Sequence, residues 1–380
     1  MQNMNRNFFR ITRFILLKFP RLFQFFAKFR REQKRLLIIK TDAIGDYILF
    51  RNYIEILRAS EKFKDYQIDL LGNPLWQDIA LKYDRHFINE FYFTKANDLY
   101  DKPFATLKLG WRLFKNNYQI VLQPSSTRLF ITDGLAALTA AKQIIGFESD
   151  NEGILPRYKT KTDKFYTKQF SPPKNIYFEF DKSKFFFENV LNIDISLDTP
   201  YIPVNKTEEK GIVIFPGAGV LKRGWEADRF LALIKLISQY SSQTIYIAGG
   251  PAEMGIGYFL TENLPQGSIN NLTGKTSLPQ LVELIGNAAL VIANETSAIH
   301  IAAATQTKAI CILGGGHFGR FAPYPAYMQH KPLCIYEKMD CFNCNWICIF
   351  KTEEKAPYPC IANISLEKVW QATLQLLPKA

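Results

Sequence analysis

The sequence has 380 residues, a hydrophobic fraction of 47% and a formal net charge of +12. This length favours two domains over a single core, and the hydrophobic fraction excludes a chain that is disordered overall. The charge is uneven, because residues 1–35 hold ten Lys and Arg against one Glu. The sequence therefore predicts a basic N-terminal segment on a nearly neutral body.

The N-terminal segment, residues 1–35, has the periodicity of an amphipathic helix. Its large apolar residues recur every three or four positions, at Phe8, Ile11, Ile15, Phe19, Leu22, Phe26 and Phe29. The basic residues fall largely off that face, at Arg6, Arg10, Arg13, Arg21 and Lys28. Pro20 predicts a kink or the start of a second helix.

This pattern favours a helix that lies on an anionic membrane surface. The alternatives are a helix docked on the protein's own surface and a nucleic-acid-binding arm; phenylalanine suits acyl chains better than phosphates, so we expect no nucleic acid partner. The apolar run at residues 14–17 is too short for a membrane span or a signal peptide. We therefore expect a cytoplasmic protein, peripheral on the inner face of the cytoplasmic membrane.

Strand-like and helix-like segments alternate through residues 36–150. Strands are predicted at LLIIK, YQIDLLG, EFYFT, YQIVLQPS and QIIGF. Helices are predicted up to about Arg58, at residues 75–84 and 103–115, and at ITDGLAALTAA. Residues 150–180 are polar and weakly patterned, which predicts a mobile loop over a site or a long surface excursion.

The same alternation starts again near Lys210. Strands are predicted at GIVIFPG, TIYIAGG, LVIAN and KAICILGG, and helices at WEADRFLALIKLISQY, SLPQLVELIGNAA and SAIHIAAAT. Pro200 and Pro203 mark a linker between the halves. The predicted fold is α/β, with two doubly wound, Rossmann-like domains at residues 36–203 and 204–380. Ligands of such sheets bind at the carboxyl ends of the strands.

Three motifs lie where predicted strands end. In FPGAGVLKRGWEADRF, the small residues Gly217, Ala218 and Gly219 precede Lys222 and Arg223. Backbone N–H groups of such a turn, with the cations and the next helix N-terminus, suit a diphosphate. The alternative is a plain strand-to-helix turn with solvated cations.

The other two motifs place carboxylates at helix starts. In NETSAIHIAAA, the residues Glu295, Thr296 and Ser297 begin a helix, where capping alone is the alternative function. His300, one turn further on, fits a buried structural histidine better than a base. In LLIIKTDAIGDYILF, Asp46 follows Gly45 where a buried strand turns into a helix, and Asp42 is the rival carboxylate.

Taken in order, several segments resemble glycosyltransferase family 9, the bacterial heptosyltransferases that build lipopolysaccharide core. They are LLIIKTDAIGDYILF, FPGAGVLKRGWEADRF, IYIAGGPAEMG, NLTGKTSLPQLVELIGNAALVIANETSAIHIAAA and CFNCNWICIF with CIANISLEKV. The resemblance runs from about Leu36 to the C-terminus and leaves out the basic segment. It implies a GT-B fold, in which two Rossmann-like domains face across a cleft, with the nucleotide-sugar donor in the second domain and the acceptor in the first.

The resemblance also implies inverting, metal-independent transfer from a donor such as ADP-heptose to a lipid-linked saccharide, with no cofactor required. Asp46 is then the general base. The residues implied for the donor are Gly217, Ala218, Gly219 and Lys222 or Arg223 at the diphosphate, Glu253 at the ribose, Thr276, Ser277 and Leu278 at the nucleobase, and Glu295, Thr296 and Ser297 at the sugar and phosphates.

Three positions depart from the family pattern. Glu295-Thr296-Ser297 replaces an aspartate followed by Ser or Thr and glycine, which leaves the identity of the sugar open. Phe215 replaces a histidine before the PGA turn. Gly224 separates the cations from Trp225, so both cations remain eligible, although the spacing and the planar fork of the guanidinium favour Arg223.

The four cysteines of residues 341–360 have the spacing of a metal site. Cys341, Cys344, Cys348 and Cys360 suit a structural zinc ion, and reduced thiols without metal are the alternative. No metal is predicted for the transfer step itself.

Two other functions compete with the transferase. One is a catalytically silent, nucleotide-sugar-binding paralogue that acts as a scaffold in envelope polysaccharide assembly, and the altered helix start at Glu295 leaves it open. Asp46 and the basic residues Lys222 and Arg223 argue against this scaffold. The other function is a nucleotide-sugar epimerase, which would turn over a nucleotide-sugar without an acceptor.

Overall fold

A computed structural model describes residues 5–150, 152–207, 210–264 and 269–377 of the protein. The chain divides into two compact units. The first holds the residues up to Tyr47, Arg51–Ile176 and Lys182–Ile195, and the second holds Ile48–Phe50, Tyr177–Asp181 and the residues from Ser196 onward. Each half of the chain contributes one six-stranded parallel sheet, which confirms the prediction of two doubly wound sheets.

The first sheet is formed by β1 Arg35–Lys40, β2 Gln67–Gly72, β3 Glu90–Phe93, β4 Ile120–Gln123, β5 Gln143–Phe147 and β6 Lys168–Phe170. The helices of this half are α1 Arg6–Ala27, α2 Ile44–Phe50, α3 Asn52–Ala59, α4 Gln77–Ile79, α5 Pro103–Lys115, α6 Phe130–Leu138, α7 Pro156–Thr162 and α8 Glu179–Leu191. Short helical turns at Pro74–Trp76 and Ala80–Asp84 flank α4.

The strand order β3-β2-β1-β4-β5-β6 places β1 at the centre of the first sheet. Leu36 pairs with Ile68 on one side and with Ile120 on the other. Residues 36–39 are buried on both faces, which explains the continuous apolar run in the sequence. Because the order reverses between β1 and β4, the loops after these strands diverge and leave a crevice at the carboxyl edge.

Residues 150–180 contain regular structure that their weak pattern did not predict. Helix α7 is followed by the edge strand β6, which pairs with β5. The fully buried Arg128 and Asp133 form an ion pair at 3.1 Å, and the hydroxyl of Tyr166 donates to Asp133 at 2.6 Å. The segment is thus held by a buried polar network, which hydrophobic periodicity does not reveal.

Helix α1 continues through Pro20 without a break, so the prediction of a second helix there is wrong. One face of α1 packs against α5 and α6, and its buried residues are Thr12, Ile15, Leu16, Pro20 and Phe23. A side chain at Gly134 of α6 would lie 2.6 Å from Leu16, which shows how closely the helices approach. The alternative of a helix docked on the protein's own surface is therefore confirmed for this face.

The second sheet is formed by β7 Ile212–Phe215, β8 Ile245–Ile247, β9 Ile269–Asn271, β10 Leu290–Asn294, β11 Ala309–Ile312 and β12 Leu333–Ile335. Its helices are α9 Ala227–Tyr240, α10 Met254–Glu262, α11 Leu278–Gly286, α12 Ser297–Ala304, α13 Pro359–Ala362 and α14 Leu366–Leu376. The strand order is β12-β11-β10-β7-β8-β9.

In the second sheet, β7 and β10 are neighbours, with Val213 paired to Val291. The loops that follow these two strands carry the motifs at residues 216–223 and 295–297. The strand order reverses at this pair, so both motifs lie at the switch point where doubly wound sheets bind ligands. Over the described residues, no helix is both long enough and apolar enough to cross a membrane.

Candidate donor site and acceptor-side carboxylate

Asp46 lies in the first turn of α2, directly after the central strand β1, and is partly exposed. The N-cap residue Ala43 is extended and provides no side-chain cap. A carboxylate in this first turn is stabilised in its charged form by the unsatisfied N–H groups of the helix. This position suits the ionised carboxylate that a general base requires.

The rival carboxylate, Asp42, is held by two neighbours. The buried Lys40 forms an ion pair with Asp42 Oδ2 at 2.8 Å, and the Ser125 hydroxyl donates to the same oxygen at 2.6 Å. Ser125 follows β4, so these contacts tie together the two loops at the switch point of the first sheet. Asp42 therefore has a structural explanation.

Buried hydrogen bonds and an ion pair hold α2 in place. Tyr47 donates its hydroxyl proton to Asp84 at 2.7 Å, and Arg51 pairs with the same carboxylate at 2.7 Å. Burial raises the pKa of Asp84, and the positive charge of Arg51 opposes this shift. The Tyr47 ring stacks on Trp76 at 3.8 Å, and Trp76 fits only because Gly72 has no side chain. The helix that carries Asp46 is thereby held in one orientation.

In the second unit, the turn at residues 216–219 follows β7 and is braced by Asn294, the last residue of β10. The fully buried Asn294 amide donates to the carbonyl of Pro216 at 2.8 Å and accepts from the backbone N–H of Trp225 at 3.0 Å. These bonds fix both ends of residues 216–223, which we call the basic turn.

Glu253 lies against this turn. A side chain at Gly217 would lie 2.4 Å from Glu253 Cγ, so only glycine allows this close approach. The Glu253 carboxylate accepts from the backbone N–H of Gly250 at 2.7 Å. Glu253, Gly217 and Ala218 all line one cavity of about 750 Å³. The structure therefore brings together the PGAG turn, predicted to bind the diphosphate, and Glu253, predicted to bind the ribose.

The two candidate cations differ in their surroundings. Lys222 donates to the Thr352 hydroxyl at 3.0 Å. The Arg223 guanidinium lies 4.5 Å from the centre of the Trp346 ring, and its buried Nε has no hydrogen-bond partner among the described residues. Burial lowers the pKa of Arg223, and the charge of Glu295 opposes this effect.

The predicted triplet at the start of α12 lies near Arg223. Burial raises the pKa of Glu295 to about 8, and the Arg223 charge counteracts this rise. The Thr296 hydroxyl is buried and has no partner within the described chain. Ser297 is the first residue of α12 and is partly exposed. A carboxyl group, a buried hydroxyl and a guanidinium together form a polar surface suited to sugar and phosphate oxygens.

The third donor segment, Thr276, Ser277 and Leu278, does not line the 750 Å³ cavity. The Ser277 hydroxyl caps α11 by accepting from the backbone N–H of Gln280 at 3.4 Å, and the Gln280 side chain accepts from the Ser277 N–H at 2.8 Å. This capping box explains why these residue types occur here. Their contact with a nucleobase remains a prediction.

A C-terminal segment, residues 340–358, contributes to the site and was missed. Trp346 stacks on Arg223, Thr352 accepts from Lys222, and Glu353 and Lys355 line the cavity. Gly316 leaves room for Trp346, since a side chain there would lie 2.2 Å from the indole. Trp346 lies within the cysteine motif CNWIC, and that motif gave no signal for a donor role.

The four cysteines of the predicted zinc site are reduced in the structure. Burial raises the pKa of Cys360, and the nearby thiols of Cys341, Cys344 and Cys348 add to this shift. Among the described residues, no three His, Cys, Asp or Glu side chains are arranged to hold a metal ion. The structure does not show a zinc site among the described residues, and zinc binding by the four cysteines stays a prediction.

His300 is buried in α12, where its Nδ1 lies 2.8 Å from the Tyr324 hydroxyl. Burial lowers the pKa of His300 to about 4, so the ring is neutral at physiological pH. These contacts agree with the interpretation of His300 as a structural residue.

Two doubly wound sheets, with a basic, glycine-containing turn and a cavity at the carboxyl edge of the second, are typical of nucleotide-dependent α/β enzymes. Comparison with protein families makes this class specific. Residues 106–347 match the model of glycosyltransferase family 9 (heptosyltransferase), and the chain belongs to this family. The resemblance found in the sequence is confirmed, and the protein is a glycosyltransferase.

The chain is 25% identical to lipopolysaccharide heptosyltransferase 3 of Escherichia coli K12 over 308 residues, which cover 78% of this chain and 87% of that protein. Its fold is similar to that of E. coli ADP-heptose lipopolysaccharide heptosyltransferase II, with a TM-score of 0.66, 16% identity and coverage of 90% and 98%. A family 9 protein from Veillonella parvula gives a TM-score of 0.67, 18% identity and coverage of 91% and 97%. The predicted GT-B fold class is thereby confirmed.

Proposed function

We propose that this glycosyltransferase moves a heptose or a similar sugar from a nucleoside-diphosphate donor, such as ADP-heptose, to a lipid-linked saccharide such as lipopolysaccharide core. The curated relative and one of the similar structures are named as lipopolysaccharide heptosyltransferases, which supports this substrate class. The observation that carries the proposal is the basic turn at residues 216–223, where Arg223 keeps a buried N–H group without a partner in the described chain.

The basic turn would hold the donor diphosphate. Backbone N–H groups of Gly217, Ala218 and Gly219 supply donors to phosphate oxygens, and Arg223 supplies positive charge in a planar fork. Trp346 orients that fork by stacking on it. These groups stabilise the negative charge that develops on the leaving diphosphate, so the proposed transfer requires no metal ion.

Glu295 would act in its neutral form. With a pKa of about 8, it is mostly protonated at pH 7 and can donate a hydrogen bond to a donor oxygen. An ionised carboxylate in this place would repel the diphosphate. The longer side chain of glutamate, where the family pattern has aspartate, narrows the sugar pocket and supports a specificity role for this residue.

Asp46 would be the general base. It removes the proton of the acceptor hydroxyl as that oxygen forms a bond to the anomeric carbon of the donor sugar. The bond from that carbon to the diphosphate oxygen breaks, and the nucleoside diphosphate leaves with the electron pair. Attack from the opposite side of the leaving group inverts the anomeric centre. Such base catalysis typically contributes about 10²–10⁴ in rate.

The proposal includes a location and one structural ion. A lipid-linked acceptor requires the enzyme to work at the inner face of the cytoplasmic membrane. The four cysteines at residues 341–360 flank Trp346, so a zinc ion there would stiffen the segment that orients Arg223 without entering the reaction.

The first experiment is calorimetric titration of the protein with ADP, UDP and GDP in the presence of a chelator. We expect selective binding of ADP that magnesium does not strengthen. A preference for UDP or GDP would indicate a different nucleotide-sugar donor and would still agree with a transferase. If none of the three binds, the nucleotide-dependent transferase is refuted and the scaffold function takes its place.

A further inference from the structure

One surface of the first unit carries positive charge without nearby carboxylates on the same helices. It is formed by α1, α5 and α7, which contain five, three and three Lys and Arg residues, respectively, and no Asp or Glu. Two of these cations are paired, Arg112 with Glu90 and Lys159 with Asp163. The others add positive charge to this face.

The same surface carries large aromatic side chains, which we call the aromatic patch: the exposed Phe14, Phe104 and Trp111 and the partly buried Phe19. Phe104 is 83% exposed and Phe14 is 57% exposed. Phe19, Phe104 and Trp111 line an apolar groove of about 430 Å³ between α1 and α5. Exposed aromatic residues clustered in this way mark an interaction site.

A second groove lies along the other side of α1. Its cations, which we call the basic groove, are Lys18, Arg21, Lys161 and Lys164. All four side chains are exposed, and none makes an ion pair with any residue that the structure describes. Asp163, the carboxylate between Lys161 and Lys164 in sequence, pairs instead with Arg128 and Lys159. The basic groove is therefore available to external anions.

We propose that the aromatic patch and the basic groove together seat the enzyme on an anionic lipid bilayer. The aromatic rings enter the boundary between headgroups and acyl chains, and the four cations contact lipid phosphates. The inference rests on the proposed function in one respect: the lipid-linked acceptor, which lies in such a bilayer, gives the enzyme a reason to bind there.

A bilayer fits this surface better than a second copy of the chain. A two-fold contact through this face would join two surfaces whose helices α1, α5 and α7 carry cations and no carboxylate to pair with them. A bilayer offers apolar depth for the aromatic patch and negative charge for the basic groove at the same time. The charge complementarity therefore selects the lipid surface.

This surface differs from a tether made of the N-terminal segment alone. Ile15, Leu16 and Phe23 of α1 belong to the core of the first unit, and four of the six residues that line the apolar groove come from α5. Deleting α1 would expose that core, so truncation is a poor test. Point substitutions of exposed residues test the surface without disturbing the core.

The charge test is sedimentation with vesicles of phosphatidylcholine alone or with phosphatidylglycerol added. The variant carries K18Q, R21Q, K161Q and K164Q, and its matched control carries K174Q, K235Q, K308Q and K338Q, which removes four exposed lysines elsewhere. Each cation at an anionic surface contributes about fivefold to partitioning. We expect the groove variant to lose more than about 100-fold on anionic vesicles, and the control to lose less than about fivefold.

The aromatic test uses Phe14→Ala with Phe104→Ala, against Ile193→Ala with Tyr258→Ala as the control pair of exposed residues. Burial of each ring should contribute about tenfold to partitioning. Thermal melts confirm that all variants are folded. Vesicle binding by both surface variants at the wild-type level would overturn the proposal, as would a wild-type dimer that Phe104→Ala converts to a monomer.

ADP titrations of the same samples separate this inference from the proposed function. We expect the surface variants to bind ADP like the wild type, because neither group of residues is part of the donor site. Loss of vesicle binding with intact ADP binding supports the membrane surface. Absence of ADP binding in the wild type would refute the proposed function while leaving the vesicle result valid.

Discussion

The polar side chains at the carboxyl end of β1 and those at the carboxyl end of β7 differ in their hydrogen bonding. Each of these strand ends lies at the switch point of its sheet. At the ends of β1 and β4, the side chains of Lys40, Asp42 and Ser125 pair with one another. After β7 and β10, Arg223 Nε and the Thr296 hydroxyl are buried and have no partner among the described residues. A buried donor left unpaired costs about 1–3 kcal/mol.

The difference shows how to separate framework from ligand site. Paired polar groups at a strand end fix the backbone, whereas unpaired ones in neighbouring loops are satisfied when a ligand binds. By this criterion Asp42 belongs to the framework, and Arg223 and Thr296 belong to the donor site. The following substitutions can break this distinction or sharpen it.

The largest effect should come from Asp46, one of the two carboxylates after β1. We expect Asp46→Asn to lower the transfer rate by about 10²–10⁴, because the general base is lost, while ADP affinity stays at the wild-type level. Asp42→Asn is the matched control and should keep most of the activity, with a lower melting temperature. A rate assay with saturating donor decides between them. A large loss of rate in Asp42→Asn and none in Asp46→Asn would make Asp42 the base.

The two cations of the basic turn give the next largest effect. Arg223→Gln removes charge-assisted hydrogen bonds worth about 1.5–3 kcal/mol, so ADP affinity should fall about 10- to 100-fold. Lys222→Gln should weaken ADP by less, because Lys222 is bonded to Thr352. Titration with adenosine provides the control, since its affinity should not change in either variant. Equal losses for both cations would contradict the distinction between paired and unpaired groups.

Trp346 tests whether the C-terminal segment acts through Arg223. Trp346→Leu removes a cation–π contact worth about 0.5–2 kcal/mol, so ADP affinity should fall roughly 2- to 30-fold. Trp346→Phe retains a ring face and should restore part of that loss. In the background of Arg223→Gln, Trp346→Leu should have no further effect on ADP affinity. Additive losses in this double-mutant cycle would show that Trp346 does not act through the guanidinium.

The sequence was sufficient to predict the elements that depend on periodicity. Strands β1 and β7 are continuous apolar runs, and helix α5 was predicted with the bounds that the structure shows. The edge strands β6, β9 and β12 were missed, because a short edge strand buries few residues and has no clear period. Residues 150–180 were misjudged for the same reason.

The site was predictable where a motif is local and was missed where it depends on distant contacts. Gly217, Glu253 and Arg223 stand in short motifs at strand ends, and the structure places them around the second sheet's switch point. Trp346 reaches Arg223 from more than 100 positions later in the chain. No local pattern contains such a contact, so only the folded structure reveals it.

The smallest effect concerns the protonation of Glu295. Its pKa is about 8 in the folded chain, above the value of 4.5 that it has when exposed to solvent. Between these values the folded state binds more protons than the unfolded state, so the free energy of unfolding falls as pH rises. Each pKa unit is worth about 1.4 kcal/mol, and we expect a loss of at least about 1 kcal/mol between pH 5 and pH 8.

Glu295→Gln should remove this dependence, because an amide does not ionise. Melting temperatures of the wild type should fall by at least about 2–4 °C over this pH range, relative to those of the variant. ADP affinity provides the second measurement: ionised Glu295 repels the diphosphate, so the wild type should bind ADP more weakly above pH 8 and the variant should not. Parallel pH profiles for the two proteins would mean that the carboxyl group is already ionised at neutral pH, and would remove Glu295 as a hydrogen-bond donor to the sugar nucleotide.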